Sequence, residues 1–248
     1  MSHRTVSDTV LVPGGRDVRA TLDVAETTTS DDGSPAVNAT NAVVVACPPH
    51  PQHRGHRGDE RLVAVSDALT SLGIDCLRFD YGPWDEGYGE CADADNAVGW
   101  ALGRYDRVGL FGFSFGGTVA LVTAAARPAV AAVCALAPTA RLNPEADATD
   151  ALADLAVRAS RTADESNAGD GARTGPSTGD NAGTGASGPP VTVVYATRDS
   201  TADWEPVVDR AEALGIRAVP IESDHFLIGR ASEVAETVAD ALVPWLRT

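Results

Sequence analysis

The chain contains no lysine: all 19 of its basic residues are arginines, set against 35 acidic residues for a formal net charge of −16. A field of that sign excludes a nucleic-acid partner, because phosphate contacts need clustered positive charge. The acidic residues are scattered along the chain instead of forming a run, which argues against an acidic face for a basic partner. The imbalance suits a protein kept soluble where concentrated salt screens self-repulsion, the composition expected in a saline cytoplasm.

Cysteine is nearly as scarce. Cys47, Cys76, Cys91 and Cys134 stand at irregular spacings, which excludes a disulfide framework and a C-x-x-C metal site and predicts buried free thiols in a reducing compartment. The opening "MSHRTVSDTV" lacks an apolar core, and no apolar run approaches the length of a membrane span. Neither a secretion signal nor a membrane anchor is expected, and the protein is expected in the cytoplasm without a membrane partner. Aromatic residues make up only 5% of the chain.

What is present alternates strand and helix patterns. "TVLVPGG" and "VRATLDVA" read as a hairpin turning at Gly14 and Gly15. "AVVVACP" (42–48) is apolar on both faces, as a buried parallel strand is. A helical pattern through Leu62, Val65, Leu69 and Leu72 stops at Gly73 and is followed by the strand "DCLRFD", the helix "DADNAVGWAL", the strand "RVGLFGF", the helix "GGTVALVTAAA" and the strand "AVAAVCALAP". The rhythm resumes with "VTVVYAT", "WEPVVDRAEALG", "RAVPI" and a last helix over 231–246. Such alternation builds βαβ units around a mostly parallel sheet, and 248 residues fit a single α/β domain. Residues 163–190, "ADESNAGDGARTGPSTGDNAGTGASGPP", have too little apolar surface to order and read as a flexible insertion within that domain. The same lack of an apolar face makes them a poor gate. The amphipathic stretch before them, around Leu152 and Leu155, is the better candidate to cover a pocket.

In an open parallel sheet, ligands bind beyond the carboxyl ends of the strands, so functional groups are sought there. "GLFGFSFGGTVAL" (109–121) puts Ser114 between strand and helix, with Gly112 and Gly116 allowing close backbone approach. Helix capping would explain the serine but not the glycines on both sides. Asp199 follows "VTVVYATR" and His225 follows "RAVPIESD". Serine needs a base, and that base needs an orienting carboxylate, so Ser114, His225 and Asp199 are the predicted catalytic trio. Asp203 is the rival acid, while Asp224 adjoins the histidine too closely to serve. His50, His53 and His56 lack a metal-ligand spacing, and no metal or other cofactor is implied. Trp84, Tyr88 and Trp204 fall in strand-end loops and either line an apolar pocket or pack over the sheet edges.

From about Ala42 to the end, omitting the insertion, "PPHPQHRG", "RFDYGPWDEGYGE", "GFSFGG", "YATRD" and "DHFLIGR" together resemble the α/β-hydrolase superfamily, and within it small serine hydrolases related to dienelactone hydrolases. Pro48 and Ala196 depart from that group, which has His-Pro-His-Pro and a glycine there, and dienelactone hydrolases carry cysteine at the position of Ser114. The resemblance implies an α/β-hydrolase fold: about eight strands, mostly parallel, with an N-terminal antiparallel hairpin and helices on both faces. It also implies an oxyanion hole made by the N–H of Phe115 and an N–H of the loop after the third strand. Pro48, Pro49 and Pro51 have no N–H, which leaves His50 or Gln52, with His50 preferred. The expected activity is hydrolysis of small carboxylic esters, thioesters or lactones through an acyl-enzyme. The other reading is a catalytically silent relative that binds a small ligand or a protein partner.

Overall fold

The computed structural model describes residues 6–25, 41–168 and 189–247. Much of the predicted 163–190 insertion, residues 169–188, lies outside these.

Period-two packing organises the molecule. Every residue of β3 (Ala42–Cys47) is buried: Val43, Val45 and Cys47 enter one apolar core, and Ala42, Val44 and Ala46 enter the other. A strand with two cores has helices on both sides. On the second face, α1 (Glu60–Ser71) and α6 (Ala231–Leu246) pack together through Leu62, Val65, Leu69, Val234, Val238 and Leu242. On the first lie α2 (Tyr88–Leu102), α3 (Phe115–Ala126), α4 (Ala148–Ala168) and α5 (Glu205–Ala213).

The other main strands are β1 (Val6–Val12), β2 (Val18–Val24), β4 (Asp75–Phe79), β5 (Arg107–Phe113), β6 (Val130–Leu136), β9 (Val191–Ala196) and β10 (Arg217–Ile221). The eight-stranded sheet runs in the order β1-β2-β4-β3-β5-β6-β9-β10. β1 pairs antiparallel with β2, and β2 with β4, while every pairing from β4 to β10 is parallel. Between β7 (Arg141–Asn143) and β8 (Ala146–Asp147) a small separate hairpin forms. After β3 the chain crosses to β4 on one side, then to β5 on the other. The strand order therefore reverses between β3 and β5, where a crevice opens beyond their carboxyl ends. Cys47, Cys76 and Cys134 are buried free thiols and Cys91 is half-buried. Among the described residues no helix is long and apolar enough to cross a membrane.

A buried polar node ties the antiparallel edge to the rest. Asp23 accepts from Ser7 Oγ (2.6 Å), Ser66 Oγ (2.6 Å) and Arg78 Nε (2.7 Å). Burial by itself would raise the Asp23 carboxyl, but the bonds from Arg78, Ser66 and Ser7 outweigh it and hold the group below its ordinary value of 3.8. A carboxylate depressed in the folded state contributes stability that is present above the unfolded value and is lost as pH falls through the folded one. Stability of the wild type is therefore expected to fall with acid below about pH 4. In Asp23→Asn the protein should be weaker at neutral pH, with Arg78 left without its carboxylate, and that part of the acid limb should vanish in denaturation curves taken across pH.

Candidate active site

Ser114 connects β5 to α3 with φ 56° and ψ −121°, a left-handed conformation that a non-glycine residue adopts only when its surroundings enforce it. Glycines enforce it here. A Cβ on Gly112 would meet the Gly116 carbonyl oxygen at 1.9 Å, and one on Gly116 would meet the Cys47 and Pro48 carbonyl oxygens at 2.3 Å. The start of α3 thus lies directly against the end of β3, and Ser114 stands half-buried at the crevice.

The two predicted partners arrive from the ends of β9 and β10. His225 Nε2 is 2.9 Å from Ser114 Oγ, and His225 Nδ1 is 2.6 Å from Asp199 Oδ2. An ionised carboxylate only accepts, so Nδ1 carries the proton and Nε2 is free to take the one on the serine. The other oxygen of Asp199, Oδ1, accepts from the N–H groups of Thr201 (2.8 Å) and Ala202 (3.0 Å), which fixes the carboxylate from behind. The His225 and Asp199 side chains are 6% and 0% exposed, so water does not compete for this bond. Asp203 and Asp224 lie differently. Asp203 is exposed, and its main-chain carbonyl accepts from Ala140 N–H. Asp224 turns back on its own loop to accept from the N–H groups of Phe226 and Leu227.

Phe115 opens α3, so its N–H has no intrahelical acceptor. Across the crevice, His50 begins a 3-10 turn (Pro51–His53) in which its carbonyl accepts from His53 and Gly55 N–H. The Phe115 and His50 rings lie 4.9 Å apart, so the two predicted oxyanion donors belong to segments in contact. Tyr81, two residues past β4, secures the segment leading into that turn by donating to the Pro48 carbonyl at 3.2 Å.

A cavity of about 650 Å3 opens over Ser114 and His225, a size suited to a small-molecule ligand. Of the three aromatic residues expected to line it, only Trp84 does. Tyr88 begins α2 and is 41% exposed. Trp204 stacks on Tyr195 at 5.0 Å and donates its indole N–H to the Asp199 carbonyl at 3.0 Å, so it braces the acid loop from outside the pocket. The amphipathic stretch also differs from its expected place. Leu152 and Leu155 are buried in the core where α4 packs on α3 and α5, so that face is used up in the fold instead of covering the cavity. The same helix continues to Ala168, past the expected start of the insertion.

Sequence reasoning missed Arg61. From the first turn of α1 its Nε donates to Asp59 Oδ1 (2.8 Å) and its Nη1 to the carbonyl of Phe226 (2.6 Å), the residue after His225. Its guanidinium also lies over the Phe113 ring at 4.4 Å, and that ring packs against His225 at 5.4 Å. Arg61 therefore braces the histidine loop. Its removal by Arg61→Ala is expected to lower kcat by a factor on the order of 10 to 100 with KM little changed, since a small misplacement of the predicted base costs rate more than binding. Arg61→Lys keeps the charge but not the fork, and should recover only part of that loss.

No protein-family model matches the chain, and no curated protein matches it in sequence. Solved structures do. An α/β serine hydrolase without a lid from Xanthomonas campestris is 20% identical over 99% of this chain and 98% of its own, with a TM-score of 0.69. An α/β serine hydrolase homologue from Coxiella burnetii is 19% identical over 97% and 100%, with a TM-score of 0.68. Dienelactone hydrolase from Anabaena variabilis is 18% identical over 99% and 100%, with a TM-score of 0.65. In strand order, in its antiparallel first hairpin and in the strand–turn–helix that carries Ser114, this chain has the α/β-hydrolase fold.

Proposed function

We propose that the protein is a serine hydrolase of small carboxylic esters, a class that extends to thioesters and lactones. The observation that carries this reading is the continuous relay from Ser114 Oγ to His225 Nε2 at 2.9 Å and from His225 Nδ1 to Asp199 Oδ2 at 2.6 Å, at the floor of the cavity. The solved relatives of like fold, among them serine hydrolases and a dienelactone hydrolase, support the same class of chemistry.

In the first step His225 Nε2 takes the Ser114 proton as Oγ attacks the substrate carbonyl. Negative charge gathers on the carbonyl oxygen, where the Phe115 N–H and the His50 N–H receive it. Asp199 stabilises the imidazolium without taking its proton. His225 then gives the proton to the leaving alcohol as the C–O bond breaks, which leaves an acyl group on Ser114. Water enters, His225 takes a proton from it, and the same sequence in reverse releases the acid.

A fluorophosphonate probe tests the reading. The folded protein is expected to label on Ser114, with labelling lost in Ser114→Ala. A folded protein that does not label would be a silent binding relative, and the proposal would fall.

A further inference from the structure

The chain is poor in aromatic residues, with five Phe, four Trp and four Tyr, yet Trp84, Phe113, Phe115 and Phe226 all line the cavity, together with His50 and His53. Leu142 is the one branched aliphatic side chain in that lining among the described residues. A site shaped for alkyl chains would show the opposite balance.

The rings are also ordered. His53 stacks on His50 with centroids 4.5 Å apart and planes 24° from parallel, and His50 stacks on Trp84 at 4.7 Å and 29°. Phe115 closes against His50 and Trp84 at 4.9 and 5.8 Å. The stack is held from outside. Gln52 N–H donates to His50 Nδ1 at 3.2 Å, which fixes the plane of that ring. The loop bearing Trp84 is stapled on both sides: Glu90 accepts from Asp85 and Gly87 N–H, Asp93 accepts from Gly82 N–H, and Arg16 Nη2 donates to the Pro83 carbonyl at 2.6 Å. Arg16 is in turn held by Asp93 at 2.8 Å. Trp84 still leaves 37% of its surface uncovered, and Phe226 leaves 52%.

Resting on the ester-hydrolase reading, we infer that the natural substrate carries a flat aromatic group, on its acyl or its alcohol side, that joins the His53–His50–Trp84 stack while its carbonyl lies at Ser114. A planar ring meets these faces at offset-stacking distance with a complementary quadrupole, whereas the axial hydrogens of a puckered saturated ring hold it farther off and it has no such quadrupole.

The test compares substrates of near-equal intrinsic reactivity: methyl phenylacetate against methyl cyclohexylacetate for the acyl side, and benzyl acetate against cyclohexylmethyl acetate for the alcohol side. In one of the two pairs the aromatic ester is expected to have kcat/KM higher by more than about threefold, and in Trp84→Leu that ratio should fall to about one. Ratios at or below about threefold in both pairs would overturn the inference, as would a preference that survives Trp84→Leu. Fluorophosphonate labelling of the same preparations keeps this outcome separate from failure of the hydrolase reading: a protein that labels but shows no aromatic preference refutes only the stacking.

Discussion

Replacing Ser114 with alanine is expected to reduce ester hydrolysis by a factor on the order of 10⁶, because it removes the group on which the proposed acyl-enzyme forms. Stability should scarcely change. Among the described residues the hydroxyl bonds to His225 alone, and the strained turn is enforced by contacts of Gly112 and Gly116 that alanine at 114 does not alter. The thermal midpoint is expected within about 2 °C of wild type. Steady-state hydrolysis by the pure variant, compared with its melting curve, checks both halves. Turnover persisting within tenfold of wild type would place the nucleophile elsewhere.

The second large effect belongs to Asp199. An asparagine keeps the shape and the Oδ1 bonds to Thr201 and Ala202, but it sets an amide NH2, a donor, where Oδ2 accepted from His225. Its amide favours the imidazole tautomer with the proton on Nε2, which cannot accept from Ser114. The expected loss in kcat for Asp199→Asn is a factor on the order of 10⁴, the size a wrong tautomer causes in serine proteases. Asp203→Asn serves as the matched control. Its carboxylate is exposed and the contact this loop needs there is made by the main chain, so its effect should be less than about twofold. Reversal of that order would make Asp203 the acid.

How much of this was readable in advance follows from the range of each interaction. Ser114, Asp199 and His225 each come within four residues of the end of an apolar run, and an open parallel sheet gathers strand ends on one edge, so local pattern was enough to assemble a trio from residues 85 and 26 positions apart. Side-chain direction in a loop is not local. Trp84, Tyr88 and Trp204 all follow strand ends, but only packing decided that the first faces the cavity and the last turns to Tyr195 and the back of Asp199. Arg61 was hidden for a related reason: its contact with the Phe226 carbonyl spans 165 residues, and the α1 pattern reveals only which face is apolar. α2 starts at Tyr88, ahead of the expected "DADNAVGWAL": Gly87 and Gly89 are poor helix formers, and the start is secured by Glu90, whose carboxylate receives the Gly87 N–H. The β7–β8 hairpin, with strands of three and two residues, is too short to carry a periodic signal. In α4 the amphipathic pattern was read correctly but its partner was not, because a buried core and a covered pocket both require one apolar face.

The central claim is that Ser114 carries the acyl group. Mixing the protein with p-nitrophenyl acetate, quenching in acid within the first turnover and mapping the peptides by mass spectrometry tests it directly. A burst of nitrophenol approaching one equivalent and an acetyl group on the peptide containing Ser114 are expected, both absent in Ser114→Ala. Hydrolysis that proceeds with Ser114 unmodified, or equally fast in the alanine variant, would contradict it.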